Sequence, residues 1–158
     1  TESTLDFGVI SLDKAGVEAG LDRPSVRGGN GSTLTVTGTA VPVVGAPVCK
    51  SGQSSSFTCG VVVADSVETQ LIYESGEATN ISGFAMSACT LAGDSGGAIV
   101  TGTLALGVIS GSNSAGAPNC VEANVVLAPN GGTSSLGIAV EDITELTGAR
   151  VRTASQSE

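Results

Sequence analysis

Gly93-Asp94-Ser95-Gly96-Gly97, set between Cys89 and the apolar run Ala98-Ile99-Val100, is the stretch from which the chain is read. Its serine has glycine two positions before it, at Gly93, and directly after it, at Gly96 and Gly97, and these residues lack Cβ atoms. The backbone can therefore turn sharply, and a carbonyl carbon can approach the hydroxyl closely. The N–H groups of Gly93 and Ser95 can point to one spot, as an oxyanion hole requires. A Gly-rich turn is the plain alternative in a chain with 23 glycines. The motif's place before an apolar strand, with cysteines around it, favours a nucleophile.

Working outward, the upstream segments are Gly45-Ala46-Pro47-Val48-Cys49-Lys50-Ser51-Gly52 and Phe57-Thr58-Cys59-Gly60. Downstream stand Leu106-Gly107-Val108-Ile109-Ser110-Gly111 and Asn119-Cys120. Taken in order, roughly from residue 45 to 120, these resemble the second barrel of chymotrypsin-like serine proteases. The resemblance is to the secreted bacterial branch of the streptogrisin and α-lytic type. It implies an all-β, chymotrypsin-like fold: a complete six-stranded second β-barrel, the last strand of the first barrel and a short C-terminal helix. It also implies a division into 1–12 (final strand of the first barrel), 13–40 (inter-barrel connection), 41–140 (second barrel with the nucleophile loop) and 141–158 (helix and polar tail).

The resemblance assigns roles. Ser95 would be the catalytic nucleophile, with Gly93 and Ser95 forming the oxyanion hole. Asp6, opening Asp6-Phe7-Gly8-Val9-Ile10, would be the catalytic aspartate. Asp94 would be structural, paired with Lys50 where the branch commonly has arginine; the charge is kept and the bidentate geometry is lost. Thr90-Leu91-Ala92 and Ser110-Gly111-Ser112 would form the two walls of the substrate-binding pocket, the second also pairing with substrate backbone as an added strand. No carboxylate lies where a lysine or arginine side chain would be bound, so a small or apolar side chain is the implied preference.

One absence sets the problem. The chain contains no histidine. Peptide cleavage by this family needs serine, histidine as general base, and aspartate to orient it. An unassisted serine hydroxyl is a poor nucleophile near neutral pH. The leading expectation is therefore a C-terminal chain or fragment of a secreted serine endopeptidase. It would form an acyl-enzyme on Ser95 only when an N-terminal protease fragment supplies the histidine. The alternatives are a non-catalytic binding or assembly domain, with Phe7, Val9 and Ile10 meeting a partner, and a storage or structural domain with a relic motif.

Composition narrows the partners. One hundred and fifty-eight residues suffice for one domain with a core. Fifteen acids against six bases give a net charge of −9, which argues against nucleic acid and anionic membrane surfaces. No run reaches the length of a spanning helix, so no membrane insertion is expected. The expected partner is a peptide or protein substrate, and the chemistry calls for no cofactor. Four cysteines allow three pairings. Spacing favours Cys49–Cys59 as a hairpin staple and Cys89–Cys120 as a clamp across the nucleophile loop, and the resemblance implies the same pairs. Without C-x-x-C or histidine a zinc site is disfavoured, and no metal is expected. Disulfides imply an oxidising location, extracellular or on the cell-envelope exterior.

Along the chain, Leu5 to Ile10 reads as a strand buried on both sides, and Thr33 to Thr39 as a strand with threonines outward. Cys59–Ala64 and Thr69–Tyr73 read as two strands joined around Asp65-Ser66. Residues 80–88, Gly97–Thr101 and Leu104–Ser110 read as the next three. Val121–Ala128 and Leu136–Val140 are expected to supply the last strands, with 121–132 longer than the family's usual connection. From Glu141 the period becomes helical, with acids in the first turn.

Overall fold

The structure, a computed structural model, describes residues 3–154. Residues 1–2 and 155–158, the ends of the expected first and last segments, lie outside that range. A short helix α1 (Lys14–Glu18) leads to β1 (Ser25–Arg27), β2 (Thr33–Thr35) and β3 (Gly38–Thr39). Then come β4 (Pro47–Gly52), β5 (Ser56–Ile72), β6 (Ala78–Met86), β7 (Ala98–Thr101) and β8 (Leu104–Ser112). Helix α2 (Cys120–Leu127), β9 (Ser135–Ala139) and helix α3 (Val140–Thr147) complete the chain.

Six strands form a ring in the order β8-β7-β4-β5-β6-β9, closed by antiparallel pairing of β8 with β9. β3 adds to β8 in parallel outside the ring, and β1 pairs with β2 separately. Closure removes the free edges that an open sheet would present. Inside stand Val48, Val62, Phe84, Met86, Ile99, Leu106 and Ile109. Phe84 is fully buried and fills the middle. Two glycines make room for its ring: a Cβ at Gly137 would sit 2.5 Å from Phe84 Cζ, and one at Gly107 would sit 2.9 Å from Cε1. A chain this poor in aromatics closes its barrel around one large side chain and lets two strands approach it without Cβ atoms.

Four expectations change. Residues 59–72 belong to a single strand, β5, with Tyr73 just past its end, and the strand shifts register between Val62 and Ala64 and again between Ala64 and Val67. Bulges bend a strand that would otherwise have to end at Asp65-Ser66. Val121–Ala128 is not a strand: residues 120–127 are helix α2, because Asn119 caps it by accepting from Glu122 N at 2.8 Å. That cap and the acidic first turn outweigh the strand preference of the valines. Thr33–Thr39 is two short pieces, interrupted where Val36 N turns to Pro24 O and Thr37 N to Thr103 O; its threonines do face solvent. Leu5–Ile10 makes no ladder. Thr4 forms an isolated parallel bridge to Ile81, Leu5 packs against the Ile81–Leu136–Ile138 cluster, and Val9 and Ile10 are 72% and 88% exposed. Among the described residues no strand lies beside Val9 and Ile10 to cover their side chains. The C-terminal helix forms as expected and ends at Gly148, whose φ of +72° suits a residue without Cβ.

Candidate active site

The loop carrying Ser95 hangs from a buried carboxylate. Asp94 and Lys50 side chains are both fully buried, with Nζ 3.4 Å from Oδ2. Lys50 Nζ also donates to Ser56 O at 3.2 Å and to Ser55 Oγ. Asp94 Oδ1 accepts from Ser54 N (2.8 Å) and Ser55 N (3.0 Å); Oδ2 accepts from Leu91 N (2.8 Å) and from the Ser55 hydroxyl. The loop's remaining bonds use Asp94 N to Leu91 O (3.1 Å), Gly96 N to Ile109 O (2.9 Å) and Gly97 N to Asp94 O (3.0 Å). The N–H groups of Gly93 and Ser95 are not among these bonds. Gly93 at φ +95° and Gly96 at φ +85° adopt backbone that side chains rarely tolerate, so the glycines around Ser95 are required by geometry.

Burial works against the Asp94 carboxylate, but the Ser55 hydroxyl and the N–H groups of Leu91, Ser55 and Ser54 outweigh it and hold its pKa to about 2. Burial draws the Lys50 ammonium below its ordinary value, against the opposing pull of Asp94. A depressed carboxylate stabilises the fold above the unfolded value of 3.8, and that contribution is lost as pH falls through about 2. The amount is about 2 kcal/mol. Urea titrations at pH 5 and at pH 2 should show it, and Asp94→Asn should reduce the difference between the two by that amount.

Ser95 is exposed, and its Oγ donates to Ser110 O at 3.3 Å. The Ser110 hydroxyl in turn donates to Asp6 Oδ2 at 2.6 Å. One serine thus links the loop to the N-terminal segment. Asp6, Phe7, Ser95 and Gly96 line one cavity of about 430 Å³, together with Val108, Ile143 and Arg150. The structure therefore brings Asp6 and Ser95 to the same cavity although they are 89 positions apart in sequence.

The two expected walls meet through hydroxyl groups. Thr90 O accepts from Ser112 Oγ and Ser114 Oγ, each at 2.7 Å, and Ser135 Oγ donates to Thr90 Oγ1 or Ala88 O. Thr90 and Leu91 are buried, Ala92 is exposed, and Gly111 and Ser112 are half-buried. Both expected disulfides form, Cys49–Cys59 and Cys89–Cys120. Sequence reading missed Ser54, Ser55, Ser114 and Ser135. Serine is common throughout this chain, and no spacing distinguishes these four before the loops are folded together.

No family model matches the chain. It is similar to streptogrisin-C of Streptomyces griseus, 37% identical over 98 residues, which are 62% of this chain and 20% of that protein. It is 36% identical over 110 residues to glutamyl endopeptidase 2 of the same organism, covering 70% of this chain and 54% of the relative. The chain thus spans between a fifth and about half of these two relatives. Among solved structures, Cellulomonas bogoriensis chymotrypsin superposes with TM-score 0.65 and 27% identity, over 84% of this chain and 63% of that one. A glutamic acid-specific serine protease that uses a histidine triad in substrate binding gives TM-score 0.61 and 29% identity, over 81% and 59%.

Proposed function

We propose that this chain, which belongs to the bacterial chymotrypsin-like serine proteases, is the nucleophile-bearing part of a secreted endopeptidase whose general base comes from polypeptide outside this sequence. Ser95 is the nucleophile, with the Gly93 and Ser95 N–H groups as oxyanion donors. Asp6 orients the incoming histidine, and Ser110 holds Asp6. The single observation that supports this most is the placement of Asp6 and Ser95 on one cavity in a chain without histidine. A histidine seated between them would take the Ser95 proton as the hydroxyl attacks a peptide carbonyl, and would return it to the leaving amine. Without that base the hydroxyl stays on Ser110 O and peptide cleavage is slow.

The substrate preference we assign is a small or apolar side chain beside the scissile bond. The chain carries no charged side chain on either proposed wall, Thr90-Leu91-Ala92 or Ser110-Gly111-Ser112. Its net charge of −9 further disfavours acidic substrates. Two disulfides suit an extracellular location.

Reaction with a fluorophosphonate, read as intact mass, tests the assignment. The chain alone should label slowly. The same chain fused behind a chymotrypsin-type first barrel that carries a histidine should label about 10²–10⁴ times faster, the factor a positioned base supplies. Ser95→Ala should abolish labelling in both. The second reading, a binding or assembly domain, is favoured by the exposure of Val9 and Ile10. A fusion that folds and still fails to label would select it.

A further inference from the structure

The strand edge assigned to substrate does not stop at Ser112. On one side β8 pairs with β9 as far as Ser112. On the other it pairs with β7 only to Val108, followed by a bond from Ile109 N to Gly97 O at 3.0 Å. Beyond Ile109 that second side of Ser110–Ser112 has no strand next to it among the described residues. Ser95 marks the near end of this open edge through its bond to Ser110 O. A polypeptide lying along it with its scissile bond at Ser95 must leave past Asn113, whichever way it runs.

A groove of about 270 Å³ begins there, lined among others by Asn113, Ala117, Pro118, Val126 and Leu127. Helix α2 is one wall. A helix on a protein surface ordinarily turns polar residues outward. α2 instead exposes Val121, Val125 and Val126 at 75%, 70% and 70%, and buries only Ala123. Both walls are tied to the approach to the nucleophile. The Cys89–Cys120 bridge fixes the first residue of α2 beside Thr90, and Ala92 N donates to Ala115 O at 3.2 Å, holding the opposite wall. The one charged side chain on the groove is Glu122, so an acidic occupant is repelled and no base attracts one.

We propose that this groove and the exposed valines of α2 extend the substrate cleft, taking apolar residues of an extended polypeptide from about the fourth position away from the scissile bond. Counting one residue per residue along the edge places that position at Asn113. The backbone hydrogen bonds of the edge hold any sequence, and the α2 face selects apolar ones. The inference rests on Ser110–Ser112 being the substrate edge, as the proposed function has it.

Amide NMR titration of the full chain with three peptides tests this. One is tetra-alanine; the others carry Leu-Val-Leu added before or after it. The short peptide should shift the amides of Gly111 and Ser112. One extended peptide should also shift those of Asn113, Val125 and Val126, and bind roughly tenfold more tightly. Val126→Asp and Val125→Asp, at exposed positions that leave folding intact, should each remove that gain and leave the short peptide's affinity unchanged. Equal affinity for all three peptides, with α2 amides unmoved, would overturn the groove and leave the substrate edge standing. Failure of every peptide to shift Gly111 and Ser112 would overturn the edge and the groove together. Sedimentation showing a dimer that Val126→Asp dissociates would give the face to a second copy of the chain and overturn the proposal.

Discussion

Asp94→Ala is expected to lower the unfolding free energy by about 3–5 kcal/mol, the cost of stranding one member of a buried ion pair. The size follows from what the carboxylate leaves behind. Lys50 keeps an ammonium with no exposed side-chain surface, and the N–H groups of Leu91, Ser54 and Ser55 lose their shared acceptor. Lys50→Met should cost less, because Asp94 retains those three N–H groups and the Ser55 hydroxyl. The double variant should not return to wild-type stability, since the backbone donors are orphaned either way. Urea unfolding of the three variants measures all of this. A loss below about 1 kcal/mol for Asp94→Ala would mean that the pair behaves as an exposed one.

Removing the Cys89–Cys120 bridge should cost about 4 kcal/mol on the loop-entropy estimate for its 31-residue separation. For a protein of this size that is a fall in Tm of roughly 8–16 °C. Serine at both positions, followed by calorimetry, checks it. The Cys49–Cys59 bridge spans ten residues, and its cysteines already face one another across the β4–β5 ladder. Its removal should cost about 3 kcal/mol at most. The ordering of the two losses is the sharper result, because only Cys89–Cys120 joins elements that no strand pairing holds together.

The barrel was legible because its signals are local or strongly specific. Gly93 to Gly97 needs its glycines for backbone reasons, the strand spacing is regular, and Lys50 follows a cysteine whose partner lies in the same hairpin. What escaped reading depended on geometry that local pattern does not carry. The valines of 121–126 favour a strand, and the Asn119 cap reverses that preference. Asp65-Ser66 reads as a turn, and paired bulges absorb it. Asp6, Ser95 and Ser110 are individually visible, the last as part of a substrate wall, whereas the bond from the Ser110 hydroxyl to Asp6 depends on how the N-terminal segment folds against β8. Ser54 and Ser55 join the Asp94 cluster only after β4 and β5 have formed their hairpin.

The closed ring and the segment carrying Asp6 are held in different ways. Each ring strand has a ladder neighbour on either side over part of its length, and amides in those doubly paired stretches are expected to exchange with solvent by openings that approach global unfolding. The segment from Ser3 to Asp6 is held by one bridge at Thr4, the contacts of Ser3 with Glu68 and Ser82, and the Ser110–Asp6 bond. Leu5 adds its packing on Ile81, Leu136 and Ile138, and with so few ties the segment is expected to open at a lower free energy than the ring, which hydrogen exchange would measure. Asp6 and Ser95 therefore keep time by separate clocks, and a site built from both lasts only as long as the faster of the two allows.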